Sequence, residues 1–193
     1  METRIRRVVT GHDDSGKAIV VSDRFATAVK TVPLWPGLTS TDVWKTSGSP
    51  ITIHKTEADP TGGERSLHPP KQGTIIRISV VPPETDEIRS LDATQAKNVF
   101  AGVGNAQAST LGRGGRHPLM HRTETVDYAV VLEGEITMLL DDSEIHLKAG
   151  DVVIQRGTNH AWSNRSDKPV RMLYILMDAR FDPEIASALQ AHD

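Results

Sequence analysis

Most of the chain alternates between apolar and polar positions in short runs, and helical periodicity is nearly absent. Runs of this kind, separated by Gly, Pro, Asp and Asn, are typical of β-strands joined by turns. RIRRVVT and KAIVVSD flank the turn GHDDSG and predict a hairpin near the N-terminus. TSTDVWKT predicts a short strand, and GTIIRISVV predicts a longer one that stops at Pro82 and Pro83.

The strand pattern is densest from Asp127 onward, where six strand-like segments follow one another in about fifty residues. Such spacing is typical of an antiparallel sandwich or barrel. The tail, DPEIASALQAHD, predicts a C-terminal helix with Asp182 as N-cap and Pro183 in the first turn.

Two segments are only weakly patterned. Residues 52–72 are rich in Pro and Gly and predict an irregular loop. Residues 85–116 are consistent with one or two helical turns. A loop of this length is either functional, for example a lid over a pocket, or an insert without a role. Both alternatives stay open from the sequence.

Composition narrows the class of protein. The 193 residues suffice for one domain, and Lys and Arg are spread along a chain of net charge −3, which argues against a nucleic-acid partner. Cysteine is absent, so neither disulfides nor thiolate chemistry are available. The N-terminus lacks the apolar segment of a secretory signal, and no apolar run approaches the roughly 18 residues of a membrane helix. We therefore expect a cytoplasmic protein without a membrane partner.

Candidate chemistry lies in two segments, HRTETVDYAVVLEGE and GDVVIQRGTNHAWSN. Because strand residues alternate between faces, His121, Thr123 and Asp127 point the same way if the strand is regular. His160 follows a turn at Gly157 and can neighbour them in an antiparallel barrel. Two imidazoles and a carboxylate facing one interior would form a mixed nitrogen and oxygen metal site. The alternative, hydrogen-bonded pocket histidines without a metal, stays open.

The two segments resemble the paired motifs of the cupin superfamily of small jelly-roll barrels. Gly115, His121 and Gly134 match the first motif, with Thr123 at its second histidine and Asp127 at its glutamate. The second motif is matched by Gly150, Gly157, His160 and Asn164, although Arg156 stands where proline is expected.

The resemblance implies an all-β antiparallel jelly-roll barrel with extra N-terminal strands and a short C-terminal helix. We expect one domain over residues 1–193, in which 110–178 form the barrel core and 1–100 supply strands, loops and a dimerisation arm. Exposed sheet edges in such barrels favour pairing between copies, so a homodimer is expected.

The resemblance also implies one divalent metal (Zn, Fe, Mn, Ni or Co) held by His121, Asp127 and His160, with positions open for water and substrate. Asp127 and His121 are then the candidate catalytic residues. His117, four residues before His121, compensates for Thr123 if the backbone bends at Pro118. His117, Thr123 and Trp162 are the residues expected in the substrate pocket.

Three functions remain possible at this point. The first is a metal-dependent enzyme of the lyase, decarboxylase, dehydratase or isomerase type, with the metal as Lewis acid and a small molecule as substrate. The second is an iron-dependent dioxygenase. The third is a non-catalytic small-molecule-binding protein, which Thr123 favours. Fold alone does not choose among them.

Overall fold

The computed structural model describes residues 3–192, so the outermost residues of the predicted 1–193 domain lie outside the described part. The fold is an antiparallel jelly roll with two facing sheets and a separate N-terminal hairpin. The strands are β1 Arg6–His12, β2 Ala18–Phe25, β3 Ala28–Thr31, β4 Thr39–Thr46, β5 Thr74–Val81, β6 Thr125–Glu133, β7 Glu135–Leu139, β8 Glu144–Lys148, β9 Val152–Arg156, β10 Ala161–Ser163 and β11 Val170–Asp178. The helices are α1 Asp86–Arg89, α2 Ala93–Gly102 and α3 Pro183–His192.

The larger sheet has six strands in the order β3-β4-β5-β11-β6-β9, and the smaller sheet has the order β10-β7-β8. Strand β11 pairs along its length with β5 on one side and β6 on the other, although all three are distant in sequence. The hairpin β1-β2 forms its own two-stranded sheet. The N-terminal strands β3, β4 and β5 are therefore part of the main sheet and not additions to a finished barrel.

The hydrophobic core lies between the two sheets. Ile136 and Met138 of the smaller sheet pack in one cluster with Val131 and Met172 of the larger sheet, and all four are almost fully buried. Burying a side chain of this size stabilises the fold by about 1.5–3 kcal/mol. These residues occupy alternate positions on their strands, which is the pattern that predicted the sandwich.

A glycine is required at the turn between β6 and β7. Gly134 has φ +85°, in the left-handed region that side chains disfavour. A Cβ atom added there would lie 2.7 Å from the Cγ2 atom of Val170. The tight turn lets β6 and β7 diverge into different sheets while their connection packs on β11.

Most strand predictions are confirmed. The N-terminal hairpin, the strand at 39–46, the strand at 74–81, the six C-terminal strands and the helix after Asp182 all form. Strand β3 was not predicted, because its four residues stand outside any longer alternating run. Residues 52–72 contain no helix or strand, as expected.

Residues 85–116 form a helical cover over one end of the sandwich. The side chains of Thr85 and Asp92 cap α1 and α2, and the second cap is a reciprocal capping box with Gln95. Ala96 and Phe100 of α2 are buried against the body of the protein. Val99, Phe100 and Val103 of this segment line the cavity described below, and a role as a lid stays a prediction. Among the described residues, no helix combines the length and apolarity needed to span a membrane.

Candidate functional site

A cavity of about 190 Å³ is lined by both sheets and by α2. One part of its wall is apolar and comprises Val32, Leu38, Val99, Phe100, Leu119 and Trp162. The polar part includes Lys30, Arg65, Arg77, His121, Asp127, His160 and Tyr174. The cavity therefore joins an apolar surface to a small group of titratable side chains, as small-molecule sites do.

The two histidines lie side by side because their backbones pair. His121 N–H donates to the carbonyl of His160 at 2.9 Å, and His160 N–H donates back at 3.0 Å. The ring centroids are 4.3 Å apart. Phe100 of α2 packs 4.9 Å from the His121 ring, and Trp162 meets His160 edge-on at 5.8 Å.

Both imidazoles are neutral at pH 7. Burial lowers the pKa of His160 to about 3, with a smaller contribution from His121, and burial also lowers the pKa of His121. His121 Nδ1 lies 3.0 Å from the carbonyl oxygen of Leu119. Since a carbonyl only accepts, this nitrogen carries the proton and Nε2 is the acceptor of the ring.

The proton position on His160 is set by two competing contacts. Its Nδ1 lies 3.0 Å from the Thr158 carbonyl, which favours a protonated nitrogen. It also lies 3.0 Å from the amide nitrogen of Gln155, which favours an unprotonated one. Gly157 turns the chain here at φ +63°, where an added Cβ atom would lie 2.5 Å from the ring of Phe181.

Asp127 is a buried carboxyl group with an unused acceptor. It lies on β6 with only 6% of its surface exposed, and its Oδ1 atom has no hydrogen-bond partner within residues 3–192. Burial raises its pKa to about 6, against the opposing effects of the Thr125 hydroxyl and the charge of Arg77. A carboxyl group with this pKa exchanges protons readily near neutral pH.

Tyr174 on β11 lines the cavity together with Asp127. Its ring contacts Trp162 at a centroid distance of 5.6 Å. Burial, reinforced by the neighbouring Asp127, raises the pKa of Tyr174 well above its usual value. The phenol therefore remains protonated and is a permanent hydrogen-bond donor or acceptor.

Three cations, Arg65, Arg77 and Lys45, form a cationic cluster around the buried carboxyl group of Asp42. Arg77 Nε donates to Asp42 Oδ1 at 2.7 Å, and Arg65 Nη1 and Lys45 Nζ lie 3.3 Å from the same carboxyl group. Burial alone would raise the pKa of Asp42, but these three cations hold it below its usual value. Arg65 also donates to the hydroxyl of Ser40 at 2.6 Å.

Residues 109–176 match the family model of the Cupin domain. These residues form a Cupin domain. The matched residues include both histidines and Asp127, so the motif that suggested the family and the cavity coincide.

Several relatives match about a third of this chain. "Phomopsin biosynthesis cluster protein C'" of Diaporthe leptostromiformis is 53% identical over 70 residues, which are 35% of this chain and 37% of that protein. The match thus spans little more than a third of the relative's length. "Cupin-domain-containing oxidoreductase fogC" of Aspergillus ruber is 27% identical over 183 residues, covering 91% of this chain and 73% of that protein.

Among solved structures, a Cupin 2 conserved barrel domain protein from Salinispora arenicola is 13% identical. The match covers 84% of this cupin and 91% of that chain, with a TM-score of 0.38. At this score the likeness carries no argument about function.

Two residues predicted in the substrate pocket, His117 and Thr123, do not line this cavity. The backbone turns at Pro118, which was the condition for His117 to compensate for Thr123, but the Nε2 atom of His117 lies 3.1 Å from Glu84 Oε1. Thr123 is buried and shares a 2.8 Å hydrogen bond with the hydroxyl of Thr125. Neither lines the cavity, whereas the third predicted pocket residue, Trp162, does.

The predicted three-ligand metal set is not assembled. His121, His160 and Asp127 line one cavity, yet in the part of the chain described no three His, Cys, Asp or Glu side chains are grouped as a metal requires. The prediction assumed a regular strand from His121 to Asp127. Instead β6 begins at Thr125, and His121 sits on an isolated bridge with His160. The two imidazoles are positioned as a pair, and metal binding by this cupin stays a prediction.

The arginines of the site were missed from the sequence. Arg77 shares the inward face of β5 with Ile75 and Ser79, so strand alternation contained the signal. Arg65 comes from the irregular loop 52–72, and no local pattern indicates where that loop folds.

Proposed function

We propose that this cupin is a small-molecule enzyme of the isomerase or lyase type that moves a proton on an enclosed substrate, with Asp127 as the proton carrier. The observation that carries the proposal is the buried Asp127 Oδ1 atom, which lacks a hydrogen-bond partner among the described residues and belongs to a carboxyl group of pKa about 6. A general base acts best when its pKa lies near the working pH.

The chemistry follows from the groups that face the cavity. Ionised Asp127 takes a proton from a carbon next to a carbonyl group, and the C–H electron pair forms the enolate while the carbonyl π pair moves to oxygen. The phenol of Tyr174 donates to the developing oxyanion. Where the substrate carries a β,γ-double bond, the electron pair is delocalised as a dienolate, and return of the proton from Asp127 to the γ-carbon moves the double bond and gives an isomer. If the enolate instead expels a β-hydroxyl group, the proton on Asp127 passes to it and water leaves.

His121 has a supporting part in this proposal. Its neutral ring presents Nε2 as an acceptor, because Nδ1 is engaged by the Leu119 carbonyl. A hydroxyl group of the substrate can donate to that nitrogen, which orients the reacting carbon toward Asp127. No step passes through a metal, since the residues present do not form the three-ligand set.

A second candidate, an iron-dependent oxidoreductase, is favoured by the relatives' names. The relative that covers 91% of this chain is named an oxidoreductase, and so are relatives from Hypocrea virens and Neurospora crassa. This candidate requires bound iron and oxygen consumption. The proton-transfer proposal requires neither, so the two are separable in one preparation.

The test is hydrogen–deuterium exchange on a simple probe. Wild-type protein, dialysed against a chelator, is incubated in D₂O with 3-methyl-2-oxobutanoate and, separately, with its neutral amide, and loss of the C3 proton is followed by NMR. Wild type is expected to accelerate exchange, and Asp127→Asn to lose at least about 90% of that acceleration. Glu133→Gln, an exposed carboxyl on the same strand, is the matched control and should behave as wild type.

Unaltered exchange with Asp127→Asn would remove Asp127 from its role. Exchange that disappears on chelation and returns with iron, together with substrate-dependent oxygen uptake, would replace the proposal by the oxidoreductase. Absence of exchange on both probes would leave this cupin as a binding protein.

A further inference from the structure

The cavity has an excess of positive charge although the protein as a whole is acidic. Among residues 3–192, the cavity wall includes the cations Lys30, Arg65 and Arg77 and the carboxyl group of Asp127. Behind the wall, the buried Asp42 contacts both arginines and also Lys45. Two carboxylates therefore face four cations. Lys30 is partly exposed, but Arg65, Arg77 and Lys45 have little exposed surface and share the carboxyl group of Asp42. Because buried cations ordinarily have anionic partners, this excess of positive charge favours an anion supplied by a ligand.

Arg65 has an N–H donor that makes no hydrogen bond within residues 3–192. Arg77 is committed, because Nε donates to Asp42 and Nη2 donates to the Ser66 carbonyl at 2.8 Å. Arg65 donates from its two Nη atoms to Ser40, but its Nε atom is buried without a hydrogen-bond partner in the described range. Burial and the adjacent charge of Arg77 lower the pKa of Arg65 to about 10, as expected for a cation short of compensating charge.

Two buried polar atoms without hydrogen-bond partners among the described residues thus belong to side chains that line one cavity, and they require opposite chemistry. The Nε–H group of Arg65 requires an acceptor, and Asp127 Oδ1 requires a donor or an acidic C–H. Arg77 is near enough to Asp127 to affect its pKa, so the cationic cluster and Asp127 belong to one end of the site. A single molecule that carries a carboxylate and a neighbouring carbonyl or hydroxyl group satisfies both.

The remaining wall limits the rest of the molecule. Leu38, Val99, Phe100 and Trp162 present an apolar surface. The volume of about 190 Å³ is below the roughly 300–1,000 Å³ of sites for drug-sized ligands. A compact aliphatic or single-ring body fits these limits.

We propose that the substrate is a small oxo- or hydroxy-carboxylic acid, whose carboxylate is bound by Arg65 beside Arg77 and whose apolar body lies against Phe100 and Trp162. This inference rests on the proposed function for the placement of the reacting carbon at Asp127. The anion-binding role of Arg65 is independent of it.

The experiment compares an acid with its neutral isostere. Binding of 3-methyl-2-oxobutanoate, benzoylformate and their amides to wild type is measured by quenching of tryptophan fluorescence, since Trp35 and Trp162 line the cavity. At least one acid is expected to bind about tenfold or more tightly than its amide. This comparison needs no variant, so it does not depend on a substitution being tolerated.

Arg65→Gln should remove the preference for the acid, and Arg65→Lys should restore part of it because the charge returns without the guanidinium geometry. Arg165→Gln, which disrupts an exposed pair with Glu144, is the matched control and should keep the full preference. Far-UV circular dichroism at the assay temperature establishes that each variant is folded.

The outcomes separate the two proposals. Equal binding of acids and amides to wild type, no binding of either acid, or an undiminished preference in folded Arg65→Gln overturns the acid-binding inference. An acid that binds through Arg65 while Asp127→Asn leaves proton exchange unaltered supports the inference and overturns the proposed function. If proton exchange depends on Asp127 but not on Arg65, and the acid and its amide exchange alike, the proposed function is supported and the acid-binding inference is overturned.

Discussion

Replacing Asp127 with asparagine should make the protein more stable at neutral pH and change its stability little in acid. The pKa of the carboxyl group rises from 3.8 to about 6 on folding, mainly because the group is buried. The folded state therefore holds the proton more tightly than the unfolded chain does. Stability from this group is fully present below pH 3.8 and is lost as the pH rises through about 6.

The size of the effect follows from that difference in pKa. Each pH unit corresponds to about 1.4 kcal/mol, so ionised Asp127 lowers the free energy of unfolding by about 3 kcal/mol at pH 7.5 and about 1 kcal/mol at pH 4.5. Asparagine has nearly the same shape and can still accept from the Thr125 hydroxyl, but it does not ionise. The stability difference between variant and wild type should therefore grow by about 2 kcal/mol between these two pH values.

Urea denaturation of both proteins at pH 4.5 and 7.5 measures this difference directly. Titration of other groups largely cancels, since it affects both proteins alike. Glu133→Gln, on the exposed end of the same strand, should show no such growth. A stability difference that is constant with pH would show that Asp127 titrates at its ordinary value, and one that falls as the pH rises would show that folding lowers its pKa. Either result would remove the basis for its catalytic role.

Three further predictions concern the turn at Gly134, metal binding by His160 and dimerisation. Gly134→Ala should destabilise the fold by about 2–4 kcal/mol in urea denaturation, because of the positive φ and the clash with β11, whereas Gly114→Ala has a positive φ without a near neighbour and should cost about 1–2 kcal/mol. If this cupin is purified with a metal, His160→Ala should lose it while staying folded; retention at wild-type stoichiometry by elemental analysis would refute the ligand assignment. We expect a homodimer by sedimentation analysis, weakened by charged substitutions at the exposed Val20 and Val21 of β2; a monomer would contradict this.

The strands and the histidine pair were predicted on different grounds. Alternation of buried and exposed positions is a local property, which β6 and much of β11 show, whereas β7 has four buried residues in succession. His121 and His160 occupy the histidine positions of the two motifs, and their proximity was expected from the resemblance to the cupin superfamily. The prediction that His121, Thr123 and Asp127 point the same way assumed one continuous strand. Residues 122–124 are not part of a strand, and β6 begins only at Thr125. Side-chain direction can be inferred from alternation only within a continuous strand.

The side chains that line the cavity come from strands, from an irregular loop and from a helix, and only the strand residues follow from a local pattern. Arg77 and Asp42 face inward from adjacent strands, where the register pairs them directly, so their contact is fixed once β4 and β5 are aligned. Arg65 arrives from an irregular loop, and Phe100 arrives from a helix of a weakly patterned segment. These contacts join positions distant in the chain and leave no local period to read.

The strands of the barrel and the segments that complete its cavity are under different structural constraints. The strands must satisfy core packing, so their inward positions change little without a cost of several kcal/mol. Loop 52–72 and α2 lie outside that constraint, yet they supply the cation and the aromatic ring that border the substrate in our proposal. Differences in substrate between this cupin and its relatives should therefore be concentrated at positions such as Arg65 and Phe100. Transferring these two segments between relatives, with the barrel unchanged, should transfer the preference for acid over amide. If the preference instead stays with the barrel, Arg77 and not Arg65 is the residue that binds the anion.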